Sequence, residues 1–368
     1  MNLYLVFLSF LSIVFVHGEN LLFVDECPYA TDTNHNSTGI GNTIDMLSYA
    51  SGRSGNRFMI LSSYLSMGYC CRSRRVTLPA KDPYLPSMED KFFSKYNSFD
   101  FSDAVVPEEF EYLRDEPSIC RPETEDYGAS AFKLEFVHEE LLTCMNRVYV
   151  RGCEKKYLGD IVDTENCPVK TNDPGDGSLV IHIRSGDIFN RNVKNTKMFG
   201  QPPLQFYILS IMKRDWDNIS IITNNSWGNT NPVYSALKSL GEAGLLGRNV
   251  QFFNSRSLYD DIRGMICADG IVIARSSLSF LTLAHTKADS LFVPSTCGPG
   301  TYYRKSNPNT FPTPDNTTFL VEEMPQSDVY GIDFDVASDY SVFNSWDNTD
   351  QQYVEMLVYE GISDLKKC

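Results

Sequence analysis

The sequence predicts a doubly wound parallel α/β domain over residues 175–300, and three observations carry that prediction. Short β-branched apolar runs alternate with segments of helical period. Prolines stand at the start of the helical segments, where a missing N–H costs nothing, and glycines stand just past an end. The alternation is sustained over five strand-like runs, which implies βαβ units and a parallel sheet rather than hairpins.

The elements follow in order. Ser178–Arg184, SLVIHIR, is an apolar run read as a buried strand. Pro202-Pro203 opens a helix with an expected buried face of Leu204, Tyr207, Ile208 and Ile211. Ile219–Thr223 is a strand, and Pro232–Leu240 a helix ending near Gly241 or Gly244. Val250–Phe253 is a strand. Ser257–Ala268 is a helix with Ser257 and Asp260 as a capping pair. Ile271–Ala274 is a strand, Leu278–Thr286 a helix, and Leu291–Pro294 a strand. The domain is thus Rossmann-like, without the Gly-rich fingerprint.

The rest of the chain is less regular. Residues 59–67 fit a helix using Phe58, Leu61 and Leu65 and stopped by Gly68, Arg75–Leu78 a short strand, and Leu134–Val148 a helix. Residues 301–368 are polar and aromatic, with a closing helix at Gln351–Tyr359, and are expected to pack back on the preceding part.

The N-terminus points to a compartment. Residues 3–16, LYLVFLSFLSIVFV, form an apolar run followed by His17-Gly18. It is short of the ~20 residues that span a bilayer, so residues 1–18 are read as a secretory signal peptide, with a short signal anchor as the alternative. Only an uncleaved anchor would tie the chain to a membrane. Four N-x-S/T sequons, at Asn36, Asn218, Asn224 and Asn316, and ten cysteines fit the same lumen. The adjacent Cys70 and Cys71 are read as one disulfide partner beside a packed thiol. No C-x-x-C or His-rich tract points to a metal.

Net charge is −15, from 32 Lys+Arg against 47 Asp+Glu, which excludes a general nucleic-acid binder. The distribution is uneven. Residues 82–126 hold thirteen acids and four bases and are expected to form a solvated, irregular insert. Residues 51–81 hold six bases and no acid, and residues 182–214 six bases and one acid. These two basic blocks are candidates for a small anionic ligand.

Both blocks carry a motif. Gly52-Arg53-Ser54-Gly55-Asn56 precedes a predicted helix, where glycines allow close backbone approach and the helix start attracts anions. His182-Ile183-Arg184-Ser185-Gly186-Asp187 lies at the C-terminal end of a strand, the edge where open parallel sheets bind ligands. An arginine there can fork onto a diphosphate. A third motif, Arg275-Ser276-Ser277-Leu278-Ser279-Phe280, lies between a strand and the next helix. Its hydroxyls and N–H groups suit phosphate oxygens, or serve only as helix caps.

Together the three resemble the GDP-fucose-using fucosyltransferases, closest to the α1,2 type and more distantly the α1,6 and protein O-fucosyl types. The α1,2 pattern is G-R-L-G-N, then H-x-R-R-x-D, then D-x-x-x-M followed by I-A-N-S-S-F-S-W. Here the last part reads Asp261-Ile262-Arg263-Gly264-Met265, then Ile273-Ala274-Arg275-Ser276-Ser277-Leu278-Ser279-Phe280. The resemblance spans residues 51–80 and 175–295.

It implies a glycosyltransferase-B-like fold of two Rossmann-like lobes: an acceptor-side lobe over 19–174, a nucleotide-sugar lobe over 175–300 and an extension over 301–368. Arg184 would pair with the diphosphate of GDP-fucose, His182 and Asp187 would shape its pocket, and Ser276 and Ser277 would hold the pyrophosphate. Asp261 would contact the guanine side. Asn56, with Arg53 and Gly55, would face the cleft from the first lobe. Such enzymes invert the anomeric centre and need no metal or other cofactor. A glycan or glycoprotein would accept the sugar, in the endoplasmic reticulum or Golgi lumen or after secretion. Arg184, Asp187 and Asn56 are the catalytic candidates, with Asp187 as a general base or an orienter of Arg184. Ser185 stands where the α1,2 pattern has a second arginine, Arg57 where it has Gln, and Leu278 and Phe280 where it has Phe and Trp. The Ser185 departure keeps open a second reading, a glycan-binding protein on a degenerate transferase fold.

Overall fold

A computed structural model of the chain describes residues 22–24, 27, 43–45, 65–72, 75–77, 98–101, 103–116, 119–120, 140–141, 144, 148–150, 167, 177–189, 200–224, 231–247, 249–254, 258–274, 276, 278, 282, 286, 288–296, 328–332, 339–344 and 346–367. Predictions for residues 1–18, for Arg53, Gly55, Asn56 and Arg57, and for Ser257, Arg275, Ser277 and Phe280 lie outside these.

The N-terminal part supplies short strands. β1 (Leu22–Phe23) pairs with β5 (Val148–Tyr149), and β2 (Thr43–Asp45), β3 (Arg75–Thr77) and β4 (Ser98–Phe99) form a three-stranded sheet. The predicted helix to Met67 instead continues helically through residue 70, so Gly68 does not stop it. The turn comes at Cys71 and Arg72, where Arg72 adopts φ +43°. Both cysteines of the pair are bridged, Cys70 to Cys144 and Cys71 to Cys120, so neither is a packed thiol. Residues 140, 141 and 144 are helical as expected, but Val148–Tyr149 is strand rather than helix end.

The acidic block is not wholly irregular. Glu108–Asp115 forms a 3-10 helix in which Phe110 and Leu113, three residues apart, share the buried side. The Tyr69 hydroxyl donates to the Val105 carbonyl, and Arg72 pairs with Glu111 at 3.1 Å. The acids face outward, and the apolar minority together with the Cys71–Cys120 bridge orders the segment.

The second half is the predicted α/β domain. Its strands are β6 (Ser178–Ile183), β7 (Asn218–Thr223), β8 (Val250–Asn254), β9 (Gly270–Val272), β10 (Ser290–Thr296), β11 (Asp328–Ile332) and β12 (Lys366–Lys367). They lie in the order β12-β11-β10-β9-β6-β7-β8, with every neighbouring pair parallel except β11–β12. The chain moves outward from β6 through β7 to β8, then returns past β6 to β9. This is the strand order of the doubly wound dinucleotide-binding folds. β11 and β12 come from residues beyond 300 and extend the same sheet.

The helices are α1 (Leu204–Met212), α2 (Pro232–Glu242), α3 (Leu258–Cys267), α4 (Ser341–Asn344) and α5 (Asp350–Val358). Side-chain alternation along the strands sorts them into two layers. Leu179, Ile181 and Ile183 of β6 pack with Phe206, Tyr207 and Ile211 of α1, Val233 and Leu237 of α2, and Met356 of α5. Val180 and Ile222 pack on the opposite face with Met265 of α3 and with Ile271 and Ile273. The α1 face is rotated from the expected one: Phe206 and Ser210 are buried with Tyr207 and Ile211, whereas Leu204 and Ile208 are half-exposed. Ser210 tolerates burial because its hydroxyl donates to the Phe206 carbonyl at 2.8 Å.

Helix ends follow their chemistry. Asn231 caps α2, with Pro232 in the first turn. Thr349 and Gln352 form a reciprocal capping box at α5. Gly244, at φ +73°, turns the chain after α2. The Cys167–Cys267 bridge ties the segment before β6 to the end of α3.

Candidate functional site

β6 lies between β7, reached by the first crossover, and β9, reached after the return. At this switch point the loops following two adjacent strands, ~4.8 Å apart, diverge to opposite faces and leave a crevice. The loop after β6 carries Arg184, and the segment after β9 carries Ser276. Two of the three sequence motifs therefore flank one crevice, though 92 residues separate Arg184 from Ser276.

The loop after β6 is shaped by its own sequence. Gly186 adopts φ +75°, a left-handed conformation that a side chain resists, and turns the chain into a short 3-10 segment, Gly186–Phe189. Asp187 lies in that segment. The loop's far end is held by the C-terminal region: the Trp346 indole N–H donates to the Ile188 carbonyl at 2.8 Å, and its ring packs edge-on against Phe189.

His182, on β6, is buried at 9% exposure. Burial first, and the neighbouring Arg184 guanidinium second, lower its pKa to about 4. The ring is neutral at physiological pH, and the positive charge at this strand end is that of Arg184, which is half-exposed. His182 alternates with Val180 and so lies on the α3 face of the sheet.

Asp261 stands on that same face, in the first turn of α3. It is one turn before Met265, which is fully buried among Val180, Ile222 and Ile273. The D-x-x-x-M spacing thus uses the methionine as an anchor and leaves the carboxylate near the C-terminal edge. Thr282 donates to the Met265 sulfur at 3.7 Å, and the Thr286 hydroxyl to the Met265 carbonyl at 3.3 Å. These bonds hold the segment after β9 against α3. Ser276 has a defined part in it: its Oγ accepts from the Leu278 N–H at 3.3 Å, a cap-type bond.

Ser185 is 3% exposed and its side chain is enclosed in a buried polar network. Its Oγ lies 2.8 Å from Thr223 Oγ1 and accepts from Asn231 Nδ2, also at 2.8 Å. Asn231 Nδ2 also donates to the Arg184 carbonyl at 3.1 Å and lies 3.3 Å from Gln201 Oε1. Gln201 donates to the Tyr207 hydroxyl, and Tyr340 donates to the Gln201 carbonyl. Burial raises the Tyr207 pKa, which keeps that hydroxyl protonated. The missing second arginine therefore falls at a position whose side chain is enclosed.

The sequence motifs did not mark Thr223, Gln201, Asn231 or Tyr340, and Tyr207 was expected only as a buried helix-face residue. One signal was present for Asn231: an Asn directly before a helix-opening Pro is a cap signature. Among the described residues no cluster of His, Cys, Asp or Glu could hold a metal ion. The side chain of Asp187 and all of Arg53, Gly55, Asn56 and Ser277 fall outside what is described, as do two of the sequons, Asn36 and Asn316.

Fold and site together define a doubly wound α/β protein with an arginine-bearing loop at the switch point of its sheet. No family model matches the chain, and no curated protein matches it. Among solved structures it is similar to POFUT1 in complex with GDP-fucose, at 10% identity and a TM-score of 0.32, over 67% of this chain and 95% of that one. A second structure, POFUT1 in complex with GDP, is 11% identical with a TM-score of 0.30, over 70% of this chain and 96% of that one. Both TM-scores are below 0.5, and the α/β class stands on the strand pairing of the chain itself.

Proposed function

We propose that the chain is an inverting glycosyltransferase that transfers fucose from GDP-fucose to a glycan or glycoprotein acceptor. The observation that carries the reading is the placement of Arg184 and Ser276 on the two loops that flank the sheet's switch point. Breaking a sugar–diphosphate bond builds negative charge on the leaving group. A fixed cation and N–H dipoles at the diphosphate stabilise that charge in the transition state. Arg184 supplies the cation. The segment after β9 that carries Ser276 supplies the dipoles, with Ser277 assigned beside it from the sequence motif alone. His182, neutral, shapes the pocket from β6, and Asp261 contacts the guanine from the α3 face. Asp187 removes the acceptor proton or orients Arg184, and Asn56, Arg53 and Gly55 close the site from the N-terminal part. No metal or other cofactor is required, because the cation is part of the chain.

The three disulfides among the described residues, Cys70–Cys144, Cys71–Cys120 and Cys167–Cys267, support a secretory-pathway lumen as the site of action. The second reading, a glycan-binding protein on a degenerate transferase fold, drew on Ser185. Its enclosed hydroxyl weakens that ground, since a residue here need not touch the ligand.

The test is a thermal-shift panel of nucleoside diphosphates, followed by GDP release from GDP-fucose. GDP is expected to stabilise the protein more than UDP, and Arg184→Ala to abolish both stabilisation and turnover. A UDP preference overturns the donor. Glycan binding without turnover of any nucleotide sugar overturns the enzyme.

A further inference from the structure

We propose that Asn231 is a positioning residue for Arg184, coupling the N-terminus of α2 to the loop after β6. The orientation of its amide is unambiguous. Oδ1 accepts from the Val233 N–H at 3.0 Å and the Tyr234 N–H at 3.1 Å, and backbone N–H groups can only donate. Nδ2 must therefore point the other way, at the Arg184 carbonyl and Ser185 Oγ. One side chain thus caps a helix through its oxygen and holds the arginine loop through its nitrogen.

Counting protons fixes the rest of the network. Thr223 has one hydroxyl hydrogen and two candidate acceptors, the Ile183 carbonyl at 2.9 Å and Ser185 Oγ at 2.8 Å. Ser185 Oγ already accepts from Asn231. The two Nδ2 hydrogens of Asn231 serve Ser185 Oγ at 2.8 Å and the Arg184 carbonyl at 3.1 Å, which leaves the longest contact, Gln201 Oε1 at 3.3 Å, at most a shared one; the hydroxyls are satisfied when Ser185 donates to Thr223 and Thr223 donates to Ile183. The carbonyls of Ile183, the last residue of β6, and Arg184, the first of the loop, are then each held by a side chain from β7 or the α2 cap. Asn231 is 1% exposed, and water does not substitute for a lost donor there without opening the site. A guanidinium stabilises a developing charge only if it is already placed when the charge appears, and this network sets the backbone from which Arg184 departs.

The role of Arg184 as diphosphate clamp rests on the function proposed above, whereas the coupling itself does not. The experiment separates them. Asn231→Ser retains a capping oxygen for α2 but is too short, and lacks the amide, to reach the Arg184 carbonyl. Asn231→Asp retains the cap and the length but has no donor. Ser185→Ala removes only the hydroxyl link. Hydrogen exchange is followed by mass spectrometry in peptides covering 184–189 and 232–242, and the Kd for GDP is measured on the same proteins. Both Asn231 variants are expected to speed exchange in 184–189 about tenfold and to weaken GDP about tenfold, with 232–242 little changed. Ser185→Ala is expected to move 184–189 less than either. Unchanged exchange in 184–189 overturns the proposal. Equal acceleration in both peptides also overturns it, since Asn231 would then be only a cap. If one Asn231 variant does not fold, the other and Ser185→Ala give the same comparison. A wild-type protein that binds no GDP removes the donor reading, while the exchange comparison still decides the coupling.

Discussion

Protonation of His182 should cost the protein stability over a defined pH window. In the unfolded chain the ring titrates near 6.5; in the folded protein burial and the Arg184 charge lower this to about 4. Between these values the unfolded state binds a proton that the folded state refuses, so stability rises with pH. The contribution is fully present above about pH 7, declines as pH falls through 6.5, and levels off below about 4. At about 1.4 kcal/mol per pH unit, the drop from 6.5 to about 4 amounts to about 3 kcal/mol. Carboxylates titrate in the lower part of this window, so the measurement is a difference. Urea unfolding of the wild type and His182→Gln, disulfides intact, is followed at half-unit steps from pH 7.5 to 3.5. The wild-type advantage over the variant should shrink by about 3 kcal/mol on acidification, whatever its size at pH 7. Parallel curves for the two proteins would refute the assignment of a buried, neutral His182. Arg184→Ala, by removing the second cause, should raise the histidine's pKa and shallow the slope.

Three further outcomes are expected. Gly186→Ala forces a side chain into φ +75° and should cost about 1–2 kcal/mol in unfolding free energy, read by thermal denaturation; an unchanged midpoint would mean the turn relaxes freely. Replacing Cys167 and Cys267 together by Ser releases a crosslink with a sequence separation of 100, and should lower stability by about 2–5 kcal/mol in urea titration. Asn218 is exposed at the start of β7, the sheet edge opposite Arg184, within the sequon Asn218-Ile219-Ser220. Protein made in a eukaryotic secretory host should yield a glycosylated Asn218 peptide, and Asn218→Gln should remove that glycan without changing the GDP Kd.

The fold was legible where a single period governed the residues. β6 to β10 and α1 to α3 lie within a few residues of their predicted bounds; for the inner strands β6, β7 and β9 the reason is that a strand covered on both faces needs a continuous apolar run. The sheet's last two strands were not legible for the opposite reason. β12 is two lysines, Lys366 and Lys367, held as an antiparallel edge by pairing to Tyr330 and Gly331 and by the Lys367–Asp328 ion pair at 2.6 Å. Nothing in a Lys-Lys dipeptide signals a strand; its neighbour across the sheet makes it one. The acidic 108–115 segment failed similarly, since charge count masked the spacing of Phe110 and Leu113.

The candidate site divides along the same line. Arg184, His182 and Ser276 were readable because their positions follow from chain order: a strand end is a strand end wherever the strand sits. That the first and fourth strands of the sheet would be neighbours, and would bring Arg184 and Ser276 to one crevice, is a property of topology. The buried network is a property of packing, one step further removed. Ser185 illustrates the difference. Read along the chain, a serine beside Arg184 is a cation lost from a diphosphate clamp. In the folded protein its hydroxyl joins Thr223 and Asn231 at 2.8 Å each and is enclosed. An arginine at this position would have to push Thr223 and Asn231 away to enter the same space, or turn the loop over to avoid it. The serine is therefore coupled to Asn231 and Thr223 rather than being an isolated departure. Restoring the missing cation by Ser185→Arg should disrupt the loop after β6 before it improves any ligand contact, with a lower melting temperature and weaker rather than tighter GDP binding. A Ser185→Arg protein of unchanged stability that bound GDP more tightly would show that the position faces the crevice after all.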